Sequence, residues 1–224
     1  MTDYQRNTSF FHIFRALAIL PTLKLGYDFQ ILNADKLPAK GPAVLICKHQ
    51  SWMDLFAICE AVYRPQKRQM YYLAKKELFE NLFGDYKGSL WETLGEILLP
   101  FNRTGIKWMG AVPVDRDHPE KSLSTFKFFR KILDKDEFIV VFPEGRTFPG
   151  KMAEFKPGFI NLMIKMQYKV KTRVKFVPVG ISYGTGRIKK LVVNIGDYMT
   201  FEKPDCNHAM VLQKAVRNLT DFSL

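Results

Sequence analysis

The sequence predicts a single α/β domain with a mixed, largely parallel central sheet flanked by helices. Three observations support this fold class. Short apolar segments of strand length alternate along the chain with longer segments of helical periodicity. The segment Ala43 to Cys47 is uninterruptedly apolar, as a buried strand is. A length of 224 residues suits one such domain and suffices to bury a sizeable core.

Each element is predicted from its own pattern, and the ends are set by helix and turn signals. The predicted strands are Ala43 to Cys47, Met70 to Ala74, Ala111 to Val114, Phe138 to Phe142, Val174 to Ile181 and Leu191 to Ile195. The predicted helices run from Ser51 to about Val62, from Pro119 to about Leu133, from Pro157 to about Tyr168 and from about Asn207 to Leu219. Between Phe79 and Met109 a stretch rich in Phe, Leu and Trp predicts a core helix, and the alternative is a segment that covers an acyl tunnel or contacts lipid.

The N-terminal segment 1–30 predicts an amphipathic helix in a membrane interface, ahead of a domain over 31–224. Its apolar run is too short to span a bilayer, and it has no persuasive signal-peptide cleavage site. Arg15 and Lys24 are available to reach lipid phosphates. The alternative is a helix packed on the core. The apolar residues at helical spacing are Phe10, Ile13, Phe14, Leu17 and Leu20.

The charge and cysteine content limit the classes of partner that we expect for this protein. The balance of 34 Lys+Arg against 22 Asp+Glu, net +12, indicates an anionic partner: phospholipid headgroups, nucleic acid or an acidic carrier protein. No nucleic-acid motif accompanies the charge, so we expect no nucleic-acid partner. The three cysteines lack metal-ligand spacing and favour a reducing cytosolic setting, and no metal site is expected.

The most informative segment is Lys48-His49-Gln50-Ser51-Trp52-Met53-Asp54, where a predicted strand meets a helix. His49 could remove a proton from a hydroxyl while Asp54 holds the imidazole tautomer and stabilises the imidazolium. Alternatively, Ser51 and Asp54 fit a helix-capping pattern, in which Asp54 only satisfies a backbone donor.

Three further segments carry polar residues beside apolar runs. Gly110 to Arg116 ends in a guanidinium suited to phosphate, and Phe142-Pro143-Glu144-Gly145-Arg146 places an acid and a base around a flexible glycine. Glu144 could bind a polyol, or pair with an arginine and fix the loop. Val177-Pro178-Val179 indicates a late strand that shapes a pocket wall. Lys75 and Lys156 are added phosphate-ligand candidates.

In this order the segments resemble the four blocks of the glycerolipid acyltransferases, especially the 1-acylglycerol-3-phosphate acyltransferases, over about residues 35 to 185. The resemblance implies that His49 is the general base and Asp54 its partner. It also implies that acceptor binding falls to Arg116, Glu144, Gly145 and Arg146, with Lys75 matching a phosphate-binding lysine.

Two departures from the family pattern bear on the acceptor side. Arg146 follows Gly145 directly, so restoring the family register requires deletion of one residue before Arg146. The span from Lys75 to Arg116 is also long, which indicates an insertion around Glu80 to Glu96. Both departures put acceptor or acyl-chain preference in doubt rather than the base.

The implied reaction is direct transfer from an acyl thioester to the sn-2 hydroxyl of lysophosphatidic acid, giving phosphatidic acid. The expected donor is acyl-coenzyme A or acyl carrier protein, a substrate rather than a cofactor. Backbone donors near Ser51, or along the Val179 strand, are expected to stabilise the oxyanion. We expect a peripheral or monotopic protein on the cytoplasmic face of an anionic membrane. The alternatives are acylation of glycerol-3-phosphate or another lysophospholipid, and a noncatalytic peripheral lipid-binding protein.

Overall fold

A computed structural model describes residues 6–75, 104–105, 107–114, 123–186 and 188–221. Most of the apolar stretch predicted between Phe79 and Met109 lies outside these ranges, as do the insertion around Glu80 to Glu96 and the predicted helix start at Pro119.

In the described ranges seven strands form the centre of the fold, and helices precede, separate and follow them in the chain. The strands are β1 (Tyr27–Leu32), β2 (Ala43–Cys47), β3 (Met70–Lys75), β4 (Ala111–Val114), β5 (Phe138–Val141), β6 (Lys175–Tyr183) and β7 (Lys189–Ile195). The helices are α1 (Thr8–Phe14), α2 (Leu20–Gly26), α3 (Met53–Gln66), α4 (Leu123–Asp134), α5 (Pro157–Val170) and α6 (Asn207–Leu219), with a π-helical segment at Arg15–Ile19 and a short 3₁₀ helix at Ala34–Lys36.

The strands form one mixed sheet in the order β1-β7-β6-β2-β5-β3-β4. All neighbouring strands are parallel except β6 and β7, which pair antiparallel. The prediction of a mixed, largely parallel sheet flanked by helices is therefore confirmed.

Helices cover both faces of the sheet, which explains why β2 and β5 are apolar at every position. Successive side chains of β2 point to opposite faces. Leu45 and Cys47 pack with α1, α2 and α3, whereas Val44 and Ile46 pack with α4, α5 and α6. The central strands are thus enclosed on both faces, and polar groups appear where these strands end.

The first two helices form an almost continuous rod interrupted at the π-helical segment. Asn7 caps α1, since its side chain accepts a hydrogen bond from Phe10 N at 2.9 Å. Pro21 lies in the first turn of α2 and has no N–H to donate to the preceding turn, which accounts for the local widening of the helix. No helix among the described residues is long and apolar enough to cross a membrane.

The apolar residues of this rod divide between the core and the surface. Phe11, Ile19 and Leu23 are buried, whereas Ile13 and Leu17 are 58% and 76% exposed. One face of the helix therefore packs on the core, and membrane contact of the exposed face stays a prediction. The expectation that Arg15 reaches lipid phosphates is wrong, because its guanidinium binds both oxygens of the buried Glu60 carboxylate at 2.7 and 2.9 Å.

Strand β1 was not predicted from the sequence. Its exposed and half-buried residues alternate, and it pairs along its length with β7 at an edge of the sheet. The predicted boundary between residues 30 and 31 falls inside this strand, so the sheet begins before the boundary.

Candidate active site

The site lies at the edge of the sheet where the parallel strands β2, β3, β4 and β5 all end. Register places the last residue of β3, Lys75, beside the last residue of β4, Val114, and places Ile46 of β2 beside Val141 of β5. Because parallel strands end at the same edge, segments distant in sequence meet there.

The Asp54 carboxylate organises the turn between β2 and α3. It is fully buried. Its Oδ2 lies 2.9 Å from His49 Nδ1 and accepts hydrogen bonds from Gln50 N at 2.6 Å and Ser51 N at 2.9 Å. The Ser51 hydroxyl in turn accepts from Met53 N at 3.3 Å. The capping and the orienting interpretations of Asp54 are therefore both realised by the same oxygen atom.

The His49 ring is held from two directions. Its Nδ1 faces Asp54, and its plane stacks on Phe142 with ring centroids 4.2 Å apart and an interplanar angle of 24°. The side chain is 20% exposed. With Nδ1 donating to the carboxylate, Nε2 is the ring nitrogen with a lone pair, and it is the one that can accept a proton from a substrate.

Glu144 fastens the loop between β5 and α5 to this turn. Its Oε2 accepts from His49 N and its Oε1 from Ala153 N, both at 2.8 Å. Burial raises the pKa of the Glu144 carboxyl, and the two amide hydrogen bonds oppose that rise. Glu144 is 4% exposed and fixes the loop through backbone amides, and its implied part in acceptor binding stays a prediction.

Lys48 and Gln50, on either side of His49, bind the same loop. Lys48 is fully buried, and its Nζ donates to Phe148 O at 2.6 Å, while Phe148 N donates to His49 O at 2.8 Å. Desolvation lowers the pKa of Lys48, and the charges of Glu144 and Asp54 oppose that effect. The Gln50 side chain accepts from Gly150 N at 3.1 Å and donates to Ile181 O at 2.6 Å. Three consecutive residues thus hold loop and base together.

The structure describes some of the predicted acceptor-binding residues at this edge but not others. Gly145 has φ +76, which favours glycine, and its position faces the Lys156 side chain. Arg146 and Lys156 are exposed. Lys75 ends β3, but its side chain lies outside the described part of the chain, as does the whole of Arg116. The roles of all these residues remain predictions.

The expected oxyanion donors can be compared with the geometry, and the surroundings of the Cys47 thiol bear on nucleophilic catalysis. Gln50 N and Ser51 N are occupied by Asp54, so the expected oxyanion donors at the helix opening are not free there. Burial raises the pKa of the Cys47 thiol well above its ordinary value, which disfavours the thiolate that a nucleophile requires. In the described ranges, no three His, Cys, Asp or Glu side chains are grouped so that they could hold a metal ion.

Sequence reasoning missed Tyr183, the last residue of β6. Its hydroxyl donates to Asp54 Oδ1 at 2.6 Å. Burial, with the adjacent carboxylate, raises the pKa of Tyr183 far above its ordinary value, so the hydroxyl stays protonated and acts as a donor. The available signal was a tyrosine at the end of an otherwise apolar strand, following Val177-Pro178-Val179.

The chain is similar to known proteins in its sequence and in its fold. The family model described as Acyltransferase matches residues 28–90 and 92–182. The chain is 30% identical over 149 residues to the 1-acyl-sn-glycerol-3-phosphate acyltransferase of Bacillus subtilis (strain 168), covering 66% of this chain and 63% of that protein. It is 29% identical over 198 residues to the enzyme of that name from Streptococcus pneumoniae (strain ATCC BAA-255 / R6), covering 87% and 62%. The chain therefore spans less than two thirds of the length of either relative.

Among solved structures, the chain resembles the crystal structure of the 1-acyl-sn-glycerophosphate (LPA) acyltransferase PlsC from Thermotoga maritima. The TM-score is 0.59 at 18% identity, covering 94% of this chain and 76% of that one. At this identity the likeness supports the fold, while the family match extends over most of the chain and includes His49, Asp54 and Glu144. The chain belongs to the acyltransferase family.

Proposed function

We propose that the chain transfers a fatty acyl group from an acyl thioester to the free sn-2 hydroxyl of 1-acylglycerol-3-phosphate, giving phosphatidic acid. The observation that carries the proposal is the buried Asp54 carboxylate 2.9 Å from His49 Nδ1, which leaves Nε2 as the basic nitrogen at a partly open edge of the sheet. The names of the relatives support the choice of acceptor.

In the proposed reaction His49 Nε2 takes the proton of the acceptor hydroxyl as its oxygen attacks the thioester carbonyl carbon. Asp54 stabilises the imidazolium that forms. When the tetrahedral intermediate collapses, the carbon–sulfur bond breaks, and the thiolate takes the proton from His49. The ester remains with the acceptor and the free thiol leaves. No covalent acyl-enzyme is needed, in keeping with the raised pKa of the buried Cys47 thiol.

Acceptor binding is assigned to the basic residues at the same edge. Arg146 and Lys156 are exposed on the loop that carries Glu144, Lys75 ends β3, and Arg116 follows β4 in the sequence. A phosphate held by guanidinium and ammonium groups would place the acceptor hydroxyl for attack, and such positioning lowers a barrier by several kcal/mol, on the order of 7. The donor is acyl-coenzyme A or acyl carrier protein.

We further assign an anionic membrane surface as the source of the acceptor. Ile13, Leu17 and Leu25 are exposed on the N-terminal rod, and Lys24 is exposed beside Leu25. Trp52, 65% exposed and three residues from His49 in sequence, stacks edge-on with Phe56 at 5.4 Å. Exposed apolar side chains with a nearby cation and an indole suit burial at a lipid interface.

Thiol release from long-chain acyl-coenzyme A tests the reaction. Purified protein in lipid micelles is assayed with and without lysophosphatidic acid, and folded His49→Ala is the comparison. We expect acceptor-dependent release that falls at least roughly a hundredfold in the variant. Release that His49→Ala leaves unchanged would exclude His49 as base. Acyl carrier protein donors, glycerol-3-phosphate and other lysophospholipids, assayed in parallel, distinguish the alternative substrates, and binding without turnover of any of them would favour a lipid-binding protein.

Vesicle cosedimentation tests the membrane assignment. Leu17→Asp should weaken binding to anionic vesicles by roughly tenfold, because the apolar side chain no longer enters the interface. The matched control is Met210→Asp, which alters a 59% exposed side chain on α6 across the sheet. Equal losses in the two variants would contradict an N-terminal membrane face.

A further inference from the structure

We propose that Tyr183 is a positioning residue for catalysis: its hydroxyl anchors the Asp54 carboxylate to the sheet, so that Oδ2 stays directed at His49 throughout the reaction. The inference rests on the proposed function for its kinetic consequence, but the geometry that carries it is independent of the substrate.

The first argument is that the two carboxylate oxygens of Asp54 bind different parts of the molecule. Oδ2 receives His49 Nδ1, Gln50 N and Ser51 N, all from the turn that precedes α3. Oδ1 receives the Tyr183 hydroxyl at 2.6 Å, from a strand 129 residues further along the chain. Without that phenol, Oδ1 would be a buried anionic oxygen deprived of its hydrogen bond from β6, which is a costly arrangement.

The second argument concerns what the turn alone leaves undetermined. All the donors to Oδ2 belong to the short segment that carries His49, so they move with it. A carboxylate fixed only by this segment could rotate about its own bonds and separate from the imidazole. The Tyr183 hydrogen bond adds a contact from a different element, and it thereby fixes the orientation of the carboxylate relative to the sheet.

The third argument is that Tyr183 is itself well fixed. It ends β6, where its backbone is paired with Leu191 of β7. Its ring packs edge-on against Tyr27, the first residue of β1, with centroids 6.2 Å apart. The anchor is therefore supported by β7 and β1, and it contacts Asp54 rather than the reacting atoms, which makes it a positioning group.

The test compares Tyr183→Phe, which removes only the hydroxyl, with Tyr168→Phe. Tyr168 lies on α5, is exposed, and donates its hydroxyl to Glu202 O, far in sequence from the site. Steady-state kinetics are measured with acyl-coenzyme A and lysophosphatidic acid. In the same proteins without substrate, proton NMR follows the downfield resonance of the His49 Nδ1 proton, assigned by its loss in His49→Ala. Unfolding temperatures are recorded for every variant.

We expect kcat to fall about tenfold in Tyr183→Phe with both KM values within about twofold, because an interaction that orients the base acts on the transition state and not on substrate binding. The resonance should move in Tyr183→Phe and stay in place in Tyr168→Phe. A Tyr183→Phe protein with wild-type kcat, or with an unmoved resonance, overturns the proposal. If that variant does not fold, 3-fluorotyrosine at position 183 keeps the ring and hydroxyl but alters donor strength, and an unmoved resonance there overturns it too.

The two readouts separate this proposal from the proposed function. If the wild-type protein transfers no acyl group to lysophosphatidic acid, the function is wrong, yet the resonance still decides whether Tyr183 orients the dyad. If the wild type turns over and the resonance ignores Tyr183, the function stands and the positioning role fails.

Discussion

The turn that holds His49 and the rim that carries Arg146 and Lys156 lie at the same edge of the sheet but are built in opposite ways. Asp54 and Lys48 are fully buried, and hydrogen bonds from several elements fix them. Arg146 and Lys156 are exposed. Under the proposed function, the geometry of the base is set within the core, whereas the acceptor is expected to bind exposed side chains. Substitutions in the two regions should therefore affect different kinetic and thermodynamic quantities.

The largest effect is expected for Asp54→Asn. The Asn side chain carries no charge to stabilise the imidazolium. Its Nδ2 can also face the N–H groups of the turn, which require an acceptor. We expect kcat to fall by roughly a thousandfold, with the KM values little changed. Steady-state thiol release measures it, and Asp134→Asn, on the exposed part of α4, is the control. Retention of more than about a tenth of wild-type kcat would contradict the assigned role.

Lys48→Met should act mainly on stability. Methionine has similar length but leaves the buried Glu144 and Asp54 carboxylates without the nearby cation, and it removes the hydrogen bond to Phe148 O. The free energy of unfolding should fall by about 3 kcal/mol. Urea denaturation measures the change, against Lys165→Met on the exposed face of α5. Equal stability of the two variants would mean that the buried ammonium contributes little to the turn.

Arg146→Ala should act mainly on acceptor binding. We expect KM for lysophosphatidic acid to rise about tenfold with kcat within about threefold, because the charge-assisted contact is to a phosphate remote from the reacting carbon. Raising the ionic strength should reduce the difference from wild type, since exposed charges are screened. Arg130→Ala, on α4, controls for loss of a surface guanidinium. A fall in kcat at unchanged KM would place Arg146 with the base instead.

The smallest expected effect is a pH dependence at Glu144. Because burial raises the pKa of its carboxyl in the folded state, its contribution to stability is present in full below the unfolded pKa, about 4.3, and is lost as pH rises through the folded pKa. The Tm of wild type relative to Glu144→Gln should therefore decline by a few degrees from about pH 4 to about pH 7. Titrating groups that do not interact with Glu144 cancel in that difference. If the Tm of the wild type instead rises relative to that of Glu144→Gln over this range, folding lowers the pKa of Glu144.

The sequence predicted most strands and the main helices because their apolar patterns were strong. Strand β2 is apolar at every position and α3 follows it at once. Strand β1 escaped because Asp28 and Gln30 interrupt its apolar residues at an exposed sheet edge. An apolar pattern reveals a strand when both faces of that strand are buried. An edge strand with exposed residues lacks such a pattern and is therefore harder to predict.

The site was only partly predictable for a related reason. His49 and Asp54 are five positions apart, so their pairing could be proposed from local sequence. Tyr183 reaches Asp54 from a sequence distance of 129, because β6 pairs in parallel with β2, the strand that leads into the turn. Glu144 was expected to meet a ligand or an arginine, but its partners are backbone amides, which a sequence does not distinguish from one another. Arg15 likewise binds Glu60, a partner that no local pattern indicated.

The fastened loop between β5 and α5 has a consequence for how relatives of this chain can diverge. A hydrogen bond from Ala153 N to Glu144 closes this loop, and further hydrogen bonds join Phe148 and Gly150 to the turn that carries His49. Between the ties at Glu144 and Phe148 only Gly145, Arg146 and Thr147 remain. A residue gained or lost in this interval must be absorbed there, and it shifts the guanidinium while the imidazole stays in place. Under the proposed function, chain length at this point is thus a means of changing which headgroup is accepted without altering how the acyl group is transferred.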